Sequence, residues 1–495
     1  MRVPRLSRAI RRLPRLPGWP GLALLLAGAL ALVWRPDPRD QLRAIDRSFA
    51  AGHYHAALTA LMPLAPELAP ARLRLGMVRA LRGEAAEAER ALRAAMLAGL
   101  TPGDYQLALL YLGRALADDG RAELAQRTWR LIEDCRSAEA CGYRGPARLL
   151  AAELALQQGD YPAAEARFQA AHMAELSPAW AAAARYRLAL LRAARDPAEA
   201  QRLLALADRA RLPTNPLIAP LLPTPGEGPA QLRAVLAAPA HEQAQLLGQL
   251  YLGLGLYGLA EAQFARVDPA APEARGAAAY AAYTRWRAGD AAGGLARLEA
   301  LAAAYPDDPR VRTLLALAYL DTDAGDAARA AIASAAEARP NEPRVELAWA
   351  SWYAAQHEYD QASLAYERAL AMAPQAERGR YALLAAQFHL ATTYELCERG
   401  LPLAEQAAGA LADDPVALTT LAAHRYHCGK FAGAVAAARA AQTDGSGPAA
   451  AYYLGAALAA LGDSANARIA LIQAADLAPA SDWRRRAELA LVTLP

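Results

Sequence analysis

The sequence feature that most constrains the fold is an internal repeat with a period of 34 residues. Four copies begin in steps of 34 residues, at Gly255, Gly289, Asp323 and His357. In each copy a small residue lies five positions after this turn residue, a bulky apolar residue nine positions after it, and a proline seventeen positions after it. A period of this length is typical of solenoids, in which each unit buries its apolar face only against its neighbours. We therefore expect stacked units and not one central core.

The repeat extends over most of the chain. A fifth clear copy begins at Gly462, and looser copies bring the total to about twelve units; these begin at Gly52, Gly83, Gly120, Gly159, Arg195, Glu398 and Gly429. Alanine, leucine, arginine and glutamate dominate the composition, and these residues favour helices. The pattern predicts an all-α fold, an α-solenoid of about twelve helix pairs. Glycine at the turn is expected to end the first helix of a pair because it tolerates a left-handed backbone.

Two segments, 159–168 and 255–264, resemble the tetratricopeptide-repeat signature. They read Gly-Asp-Tyr-Pro-Ala-Ala-Glu-Ala-Arg-Phe and Gly-Leu-Tyr-Gly-Leu-Ala-Glu-Ala-Gln-Phe, and leucine–glycine pairs like that of the family's first helix end at Gly76, Gly113 and Gly455. The resemblance implies a solenoid whose concave face, lined by first helices, holds extended peptides or partner domains. The groove residues that it implies are Tyr283, Trp286, Arg287, Arg310, Thr392, Glu395, Tyr426 and His427.

One segment interrupts the repeats. Six prolines and two glycines lie between Arg211 and Pro229, a composition that cannot form a continuous helix. We expect an N-terminal array over 41–210, a proline-rich linker over 211–240, and a C-terminal array over 241–495 that ends in a capping helix. The linker is expected to be either a rigid kink or a flexible hinge.

The N-terminus has the charge pattern of a signal-anchor. Residues 1–18 carry six arginines and no acidic residue, and residues 19–34 are uncharged with tryptophan at both ends. A basic flank before an apolar span predicts one transmembrane helix at 19–34, with the flank in the cytoplasm and the repeats in the periplasm of a bacterial inner membrane. A cleaved signal peptide, with Ala29-Leu30-Ala31 as its site, and a segment that does not insert are the alternatives. The absence of cysteine from 1–40 argues against a lipoprotein.

The charge of the repeats argues against nucleic acid as a partner. The whole chain has a formal charge of +3, but residues 1–40 hold eight arginines and two aspartates. That leaves 45 basic and 48 acidic residues in 41–495. A body so close to neutral lacks the basic stripe that a phosphate backbone requires.

The sequence shows no catalytic motif. It contains no phosphate-binding loop, G-x-S-x-G, H-E-x-x-H or paired C-x-x-C motif, so we expect no enzyme activity and no cofactor. An even number of cysteines in an exported protein favours disulfides, here Cys135–Cys141 and Cys397–Cys428, and four unpaired thiols are the alternative. His389, His424 and His427 lie near the second pair, but we interpret them as helix histidines and expect no metal site.

These observations favour a membrane-anchored periplasmic scaffold or assembly factor. Cell-envelope complexes, as in polysaccharide export, pilus assembly or cytochrome maturation, are the expected partners by analogy with envelope repeat proteins. A periplasmic holdase or quality-control adaptor is the second hypothesis, and a glycan- or metal-binding accessory protein is the third.

Overall fold

The computed structural model describes residues 37–135, 142–173, 178–208, 228–442 and 447–494. Within these ranges every regular element is a helix, and the helices form twelve consecutive pairs. The twelve turns inside the pairs lie at the twelve repeat starts expected from the sequence. The predicted transmembrane segment 19–34 lies outside the described residues. No helix in the part of the chain that the structure describes is both long enough and apolar enough to span a membrane.

The N-terminal array contains five helix pairs. Proline or a side-chain cap begins many of these helices, because the first turn of a helix has backbone N–H groups without partners. The helices are α1 (Pro38–Ala50) with α2 (Tyr54–Leu61), α3 (Ala69–Leu81) with α4 (Ala85–Leu97), α5 (Pro102–Asp118) with α6 (Ala122–Glu133), α7 (Arg144–Gln157) with α8 (Tyr161–His172), and α9 (Pro178–Arg192) with α10 (Pro197–Asp208).

The C-terminal array contains seven pairs between two single helices. Helix α11 (Gly228–Ala237) precedes them, inside the region assigned to the linker, and α26 (Asp482–Thr493) follows them as the expected final helix. The pairs are α12 (Ala240–Gly253) with α13 (Tyr257–Phe264), α14 (Ala274–Arg287) with α15 (Ala291–Ala304), α16 (Pro309–Leu320) with α17 (Gly325–Ala338), α18 (Pro343–Ala355) with α19 (Tyr359–Met372), α20 (Arg378–Thr392) with α21 (Leu401–Ala410), α22 (Pro415–His427) with α23 (Phe431–Ala441), and α24 (Pro448–Ala460) with α25 (Ser464–Leu477).

Small residues on first helices let the two helices of a pair approach closely. A Cβ at Gly76 of α3 would lie 2.6 Å from Leu92 Cγ, and one at Gly248 of α12 would lie 2.6 Å from Phe264 Cε1. In both pairs the bulky residue comes nine positions after the turn, and it is buried. The leucine–glycine pairs of the sequence therefore mark the points where a first helix contacts the large side chain of its partner.

The two arrays pack against each other despite the break in sequence. Leu204 of α10, Leu232 of α11 and Leu247 of α12 belong to one continuous buried core. The Tyr251 hydroxyl donates to the Leu190 carbonyl at 2.6 Å, so α12 is also tied to α9 by a buried hydrogen bond. Stacking thus continues across the proline-rich region.

The two ends of the solenoid also meet, a contact that the repeat pattern does not predict. Asp476 of α25 accepts a hydrogen bond from the His55 backbone N–H at 2.8 Å, in the first turn of α2. Glu488 of α26 lies 2.8 Å from the Arg82 guanidinium at the end of α3. Arg484 lies 3.3 Å from Glu84. We call these six residues the end-to-end contact; through it the solenoid closes on itself.

Candidate protein-binding groove

A groove of about 1470 Å³ runs along three first helices of the C-terminal array, α14, α16 and α18. The C-terminal end of α13 and the loops before α14, α16 and α18 complete its walls. First helices supply most of the lining, and Arg297 and Leu301 of the second helix α15 also contribute to it. The groove is thus a product of stacking, since its walls come from four successive repeats.

The floor of the groove is apolar and made largely of small side chains. Ala278 and Ala282 of α14, Leu314 of α16 and Ala348 of α18 line it. Alanine at these positions leaves space between neighbouring helices that larger side chains would fill. At about 1470 Å³ the space is large enough to receive side chains of another polypeptide.

Arginines form the sides of the groove. Arg275 lies over the Tyr305 ring, 4.8 Å from its centroid, and Arg285 pairs with Glu261 at 3.2 Å. Arg310 follows the first proline of α16, where the Asp308 carboxylate accepts the Arg310 backbone N–H at 2.9 Å and caps the helix. The charged groups of the groove are therefore held by rigid helix termini and helix faces.

Of the eight predicted groove residues, Arg310 is the one that lines this cavity. Tyr283, Trp286 and Arg287 lie together at the end of α14, outside it. The Tyr283 and Trp286 rings stack with centroids 5.5 Å apart, and Arg287 donates to the hydroxyls of Tyr283 and Tyr257, both at 3.4 Å. The hydrogen bond to Tyr283 raises the pKa of Arg287 above its ordinary value.

Thr392 is the last residue of α20, and Glu395 lies in the irregular segment between α20 and α21. Thr393 and Glu395 have positive φ angles, 57° and 40°, and a single π-helical turn, Leu396–Gly400, follows. The Thr392 hydroxyl donates to the Phe388 carbonyl at 2.8 Å, and the Glu395 carboxylate pairs with Arg399 at 2.7 Å. These side chains are thus engaged locally.

Tyr426 and His427 lie on a third surface outside the groove, in an aromatic cluster at the end of α22. The Tyr426 ring contacts those of Phe431 and Tyr453, with both centroid distances 5.9 Å. The His427 ring also contacts Tyr453, at 5.8 Å. The structure therefore distributes the eight predicted residues over the groove and three separate surfaces.

Sequence reasoning missed most of the groove arginines, although a signal was present. Arg310 and Arg344 both follow a helix-starting proline and are 34 residues apart, and both line the groove. The same repeat position thus supplies a guanidinium from successive units. Comparing charged residues at equal repeat positions, and not only aromatic ones, would have found this pair.

The cysteines and histidines near α20 and α22 have structural partners. Cys397 and Cys428 are joined by a disulfide with their Cα atoms 5.5 Å apart, so they are not thiolate ligands. Cys141, the expected partner of Cys135, lies outside the described residues, and that pairing stays a prediction. The described part of the chain contains no group of three or more histidine, cysteine, aspartate or glutamate residues arranged to hold a metal ion.

Two buried histidines are held neutral by their surroundings. Burial lowers the pKa of both His389 and His424. His389 Nδ1 lies 2.6 Å from the Tyr394 carbonyl and His424 Nδ1 lies 2.9 Å from the Thr420 carbonyl, so each Nδ1–H donates. His424 Nε2 is buried and has no hydrogen-bond partner among the described residues.

The segment of the chain that matches a family model overlaps the groove. The family model of the tetratricopeptide repeat matches residues 285–350, from the end of α14 to the middle of α18. The chain contains tetratricopeptide repeats. Such repeats indicate a protein-interaction scaffold, and their fold is generally non-enzymatic. No curated protein matches the chain.

Several solved structures are similar at low scores. The Cut9–Hcn1 hetero-tetramer of APC/C has a TM-score of 0.37 and 14% identity, and the match covers 95% of this chain and 92% of that chain. Pseudomonas aeruginosa pilF has a TM-score of 0.37 and 16% identity over 44% of this chain and 98% of that one. A tetratricopeptide repeat protein from Parabacteroides merdae scores 0.34 with 14% identity, covering 51% of this chain and 97% of that one. Likenesses at this level assign no function to the chain.

Proposed function

We propose that this tetratricopeptide-repeat protein is a scaffold that holds an extended segment of a partner protein in the groove along α14, α16 and α18. The groove itself carries the proposal: it is about 1470 Å³ in volume, has an apolar floor, and is built from four consecutive repeats. An extended polypeptide places side chains alternately on both sides, which suits a floor of small residues between charged sides.

The scaffold works in the bacterial periplasm, anchored in the inner membrane by residues 19–34. The arginines of 1–18 support this orientation, because basic flanks stay in the cytoplasm. The disulfide Cys397–Cys428 supports it as well, because disulfides persist in oxidising compartments. The partner on this proposal is a component of a cell-envelope assembly complex.

Site-specific photocrosslinking in cells tests the groove. A photoreactive amino acid is placed at Leu317, in the groove, or at Leu489, an exposed residue of α26 outside it. The proposal expects one defined crosslinked protein from position 317 and none of it from position 489. Equal labelling of many unrelated proteins from both positions would instead favour the holdase hypothesis.

A second measurement tests the location. Alkaline phosphatase, which is active only where its disulfides form, is fused after residue 495 of the full chain and of a variant without residues 1–36. The proposal expects activity from the first fusion only, and an intact N-terminus by mass spectrometry. An N-terminus that begins after Ala31 would show a cleaved signal peptide instead of an anchor.

A further inference from the structure

Six arginines line the groove against four carboxylates. The arginines are Arg275, Arg285, Arg297, Arg310, Arg339 and Arg344. The acidic residues are Glu261, Asp307, Asp308 and Glu342. The walls therefore carry an excess of positive charge, although residues 41–495 as a whole hold more acidic than basic residues.

Internal contacts neutralise only part of this charge. Arg285 pairs with Glu261, and the Asp308 carboxylate is used as the cap of α16. Arg344 interacts with the Tyr381 hydroxyl. Arg285 is thus the one groove arginine with a carboxylate within 4.0 Å in the described ranges. Within those ranges Arg297, Arg310 and Arg339 also lack the ring or hydroxyl contacts that engage Arg275 and Arg344.

The three arginines come from two successive units and line the same groove. Arg297 lies on α15, Arg310 in the first turn of α16, and Arg339 follows the last residue of α17. All three side chains are exposed, so their guanidinium groups are open to a partner. A guanidinium presents planar pairs of donors that match the two oxygens of a carboxylate.

We propose that the occupant of the groove is an acidic, extended segment of a partner protein, in which carboxylates alternate with apolar side chains. This inference rests on the proposed function and adds the chemistry of the partner. The carboxylates pair with Arg297, Arg310 and Arg339, while the apolar side chains contact Ala282 and Leu314 on the floor. Positive charge facing negative charge also steers the encounter and excludes basic segments.

Nucleic acid fits these observations less well. Asp307 and Glu342 line the groove together with the arginines, and their negative charges would repel a continuous phosphate backbone. The Tyr305 ring is covered by Arg275, so it is not open for base stacking. A discrete set of carboxylates on a polypeptide avoids both conflicts.

Selection from a random peptide library tests the charge of the occupant. Full-length protein, purified in detergent, is used to select displayed peptides of about twelve residues, which span about 40 Å when extended. The best peptides are then labelled with fluorescein and measured by fluorescence polarisation. We expect acidic peptides with interspersed apolar residues, and binding that weakens as salt concentration rises.

Two matched double variants locate the binding. Arg310→Gln with Arg339→Gln removes two groove charges, and Arg380→Gln with Arg468→Gln removes two exposed charges outside the groove. We expect the first to weaken binding of the acidic peptide at least about tenfold, because each lost charged hydrogen bond is worth about that factor. The second is expected to leave affinity unchanged, and circular dichroism checks that both variants are folded.

Each of the other outcomes would contradict a defined part of the proposal. Neutral or basic peptides that bind in the groove, and lose affinity in a Leu317→Trp variant, would overturn the acidic occupant and leave the proposed function standing. If neither double variant changes the affinity of the selected peptides, both the acidic occupant and the groove as the binding site would be wrong. The same holds if no peptide is selected. Tighter binding of a fluorescein-labelled polyuridine RNA, lost in the groove variant, would show a nucleic-acid site.

Discussion

At the scale of single residues, the turns inside the helix pairs show how backbone conformation selects the amino acid. Eight of these turns use a glycine with positive φ, among them Gly52, with φ 78°, and Gly462, with φ 84°. Asp323 and His357 occupy the same repeat position with φ of 55° and 60°. A left-handed backbone costs an L-residue with a side chain roughly 1–2 kcal/mol, so glycine is favoured but not required.

Two glycines near one turn give opposite predictions for the same substitution. Gly255 has φ of 73° and open space around it, whereas Gly253 lies in α12 without positive φ and also in open space. We expect Gly255→Ala to lower the free energy of unfolding by about 1–2 kcal/mol and Gly253→Ala to raise it by about 0.5–1 kcal/mol. Urea unfolding followed by circular dichroism measures both. Equal effects would contradict the conformational explanation.

The buried histidines predict a loss of stability in mild acid. Burial lowers the pKa of His424 in the folded chain, so below about pH 6.5 the unfolded chain binds a proton that the folded chain does not. The stability from neutral His424 is complete above that pH and decreases as the pH falls, by up to about 1 kcal/mol between pH 6.5 and 5.5. Urea midpoints at pH 7.5 and 5.5 check this.

Urea midpoints at the same two pH values are also compared for two variants in which asparagine replaces a histidine. His424→Asn keeps a donor for the Thr420 carbonyl and is expected to show a smaller decrease between the two pH values than the wild type. His241, whose side chain is 81% exposed, provides the control, and His241→Asn is expected to keep the full decrease. A His424→Asn variant with the wild-type pH dependence would assign the acid sensitivity to other groups.

At the scale of elements, the irregular segment between α20 and α21 depends on a covalent tie. The disulfide joins Cys397, in the π-helical turn, to Cys428, which follows α22, across 31 positions in sequence. A loop closed over that length restricts the unfolded chain and contributes about 2–4 kcal/mol in the chain-entropy description. The segment around Glu395, with its positive φ, gains its order from this tie as well as from packing.

Removal of both sulfurs is expected to loosen this segment selectively. In a variant with Cys397→Ser and Cys428→Ser, hydrogen exchange measured by mass spectrometry should become faster in 393–400 and at the end of α22. Helices α3 and α4 provide the internal control, because they lie in other repeats and should exchange as before. Unchanged exchange at 393–400 would mean that packing alone orders the segment.

At the scale of the whole molecule, the end-to-end contact changes how the solenoid behaves. An open solenoid is held by contacts between neighbouring repeats, whereas here the two ends also bind each other. Arg82, with its side chain 7% exposed, pairs with both Glu84 and Glu488. Asp476 caps α2 from the opposite end of the chain, where His53, at the start of α2, provides no side-chain cap.

Reversing the charge of Glu488 is expected to break the end-to-end contact and open the closed solenoid. Glu488→Arg places a third cation beside Arg82 and Arg484. We expect the free energy that stabilises this contact to fall by roughly 1–3 kcal/mol. We also expect a larger radius of gyration by small-angle X-ray scattering. Arg82→Glu in the same chain restores opposite charges and should bring the radius back towards the wild-type value. Glu337→Arg, at an exposed position outside the contact, is the control. An unchanged radius in Glu488→Arg would show that apolar packing alone closes the ring.

The sequence by itself determined the helix pairs, because a 34-residue pattern of turn, small and bulky residues restricts each unit locally. It also determined the turn positions and pointed to Cys397 with Cys428, since neighbouring repeats bring equal positions together. Only the tertiary structure decided which surfaces of the units form the groove and that the two ends meet. Those features depend on small rotations between successive repeats, which add up along the stack and are not encoded by any one unit. The eight predicted groove residues therefore lie on separate surfaces, while Arg297 and Arg339 line the same groove as Arg310.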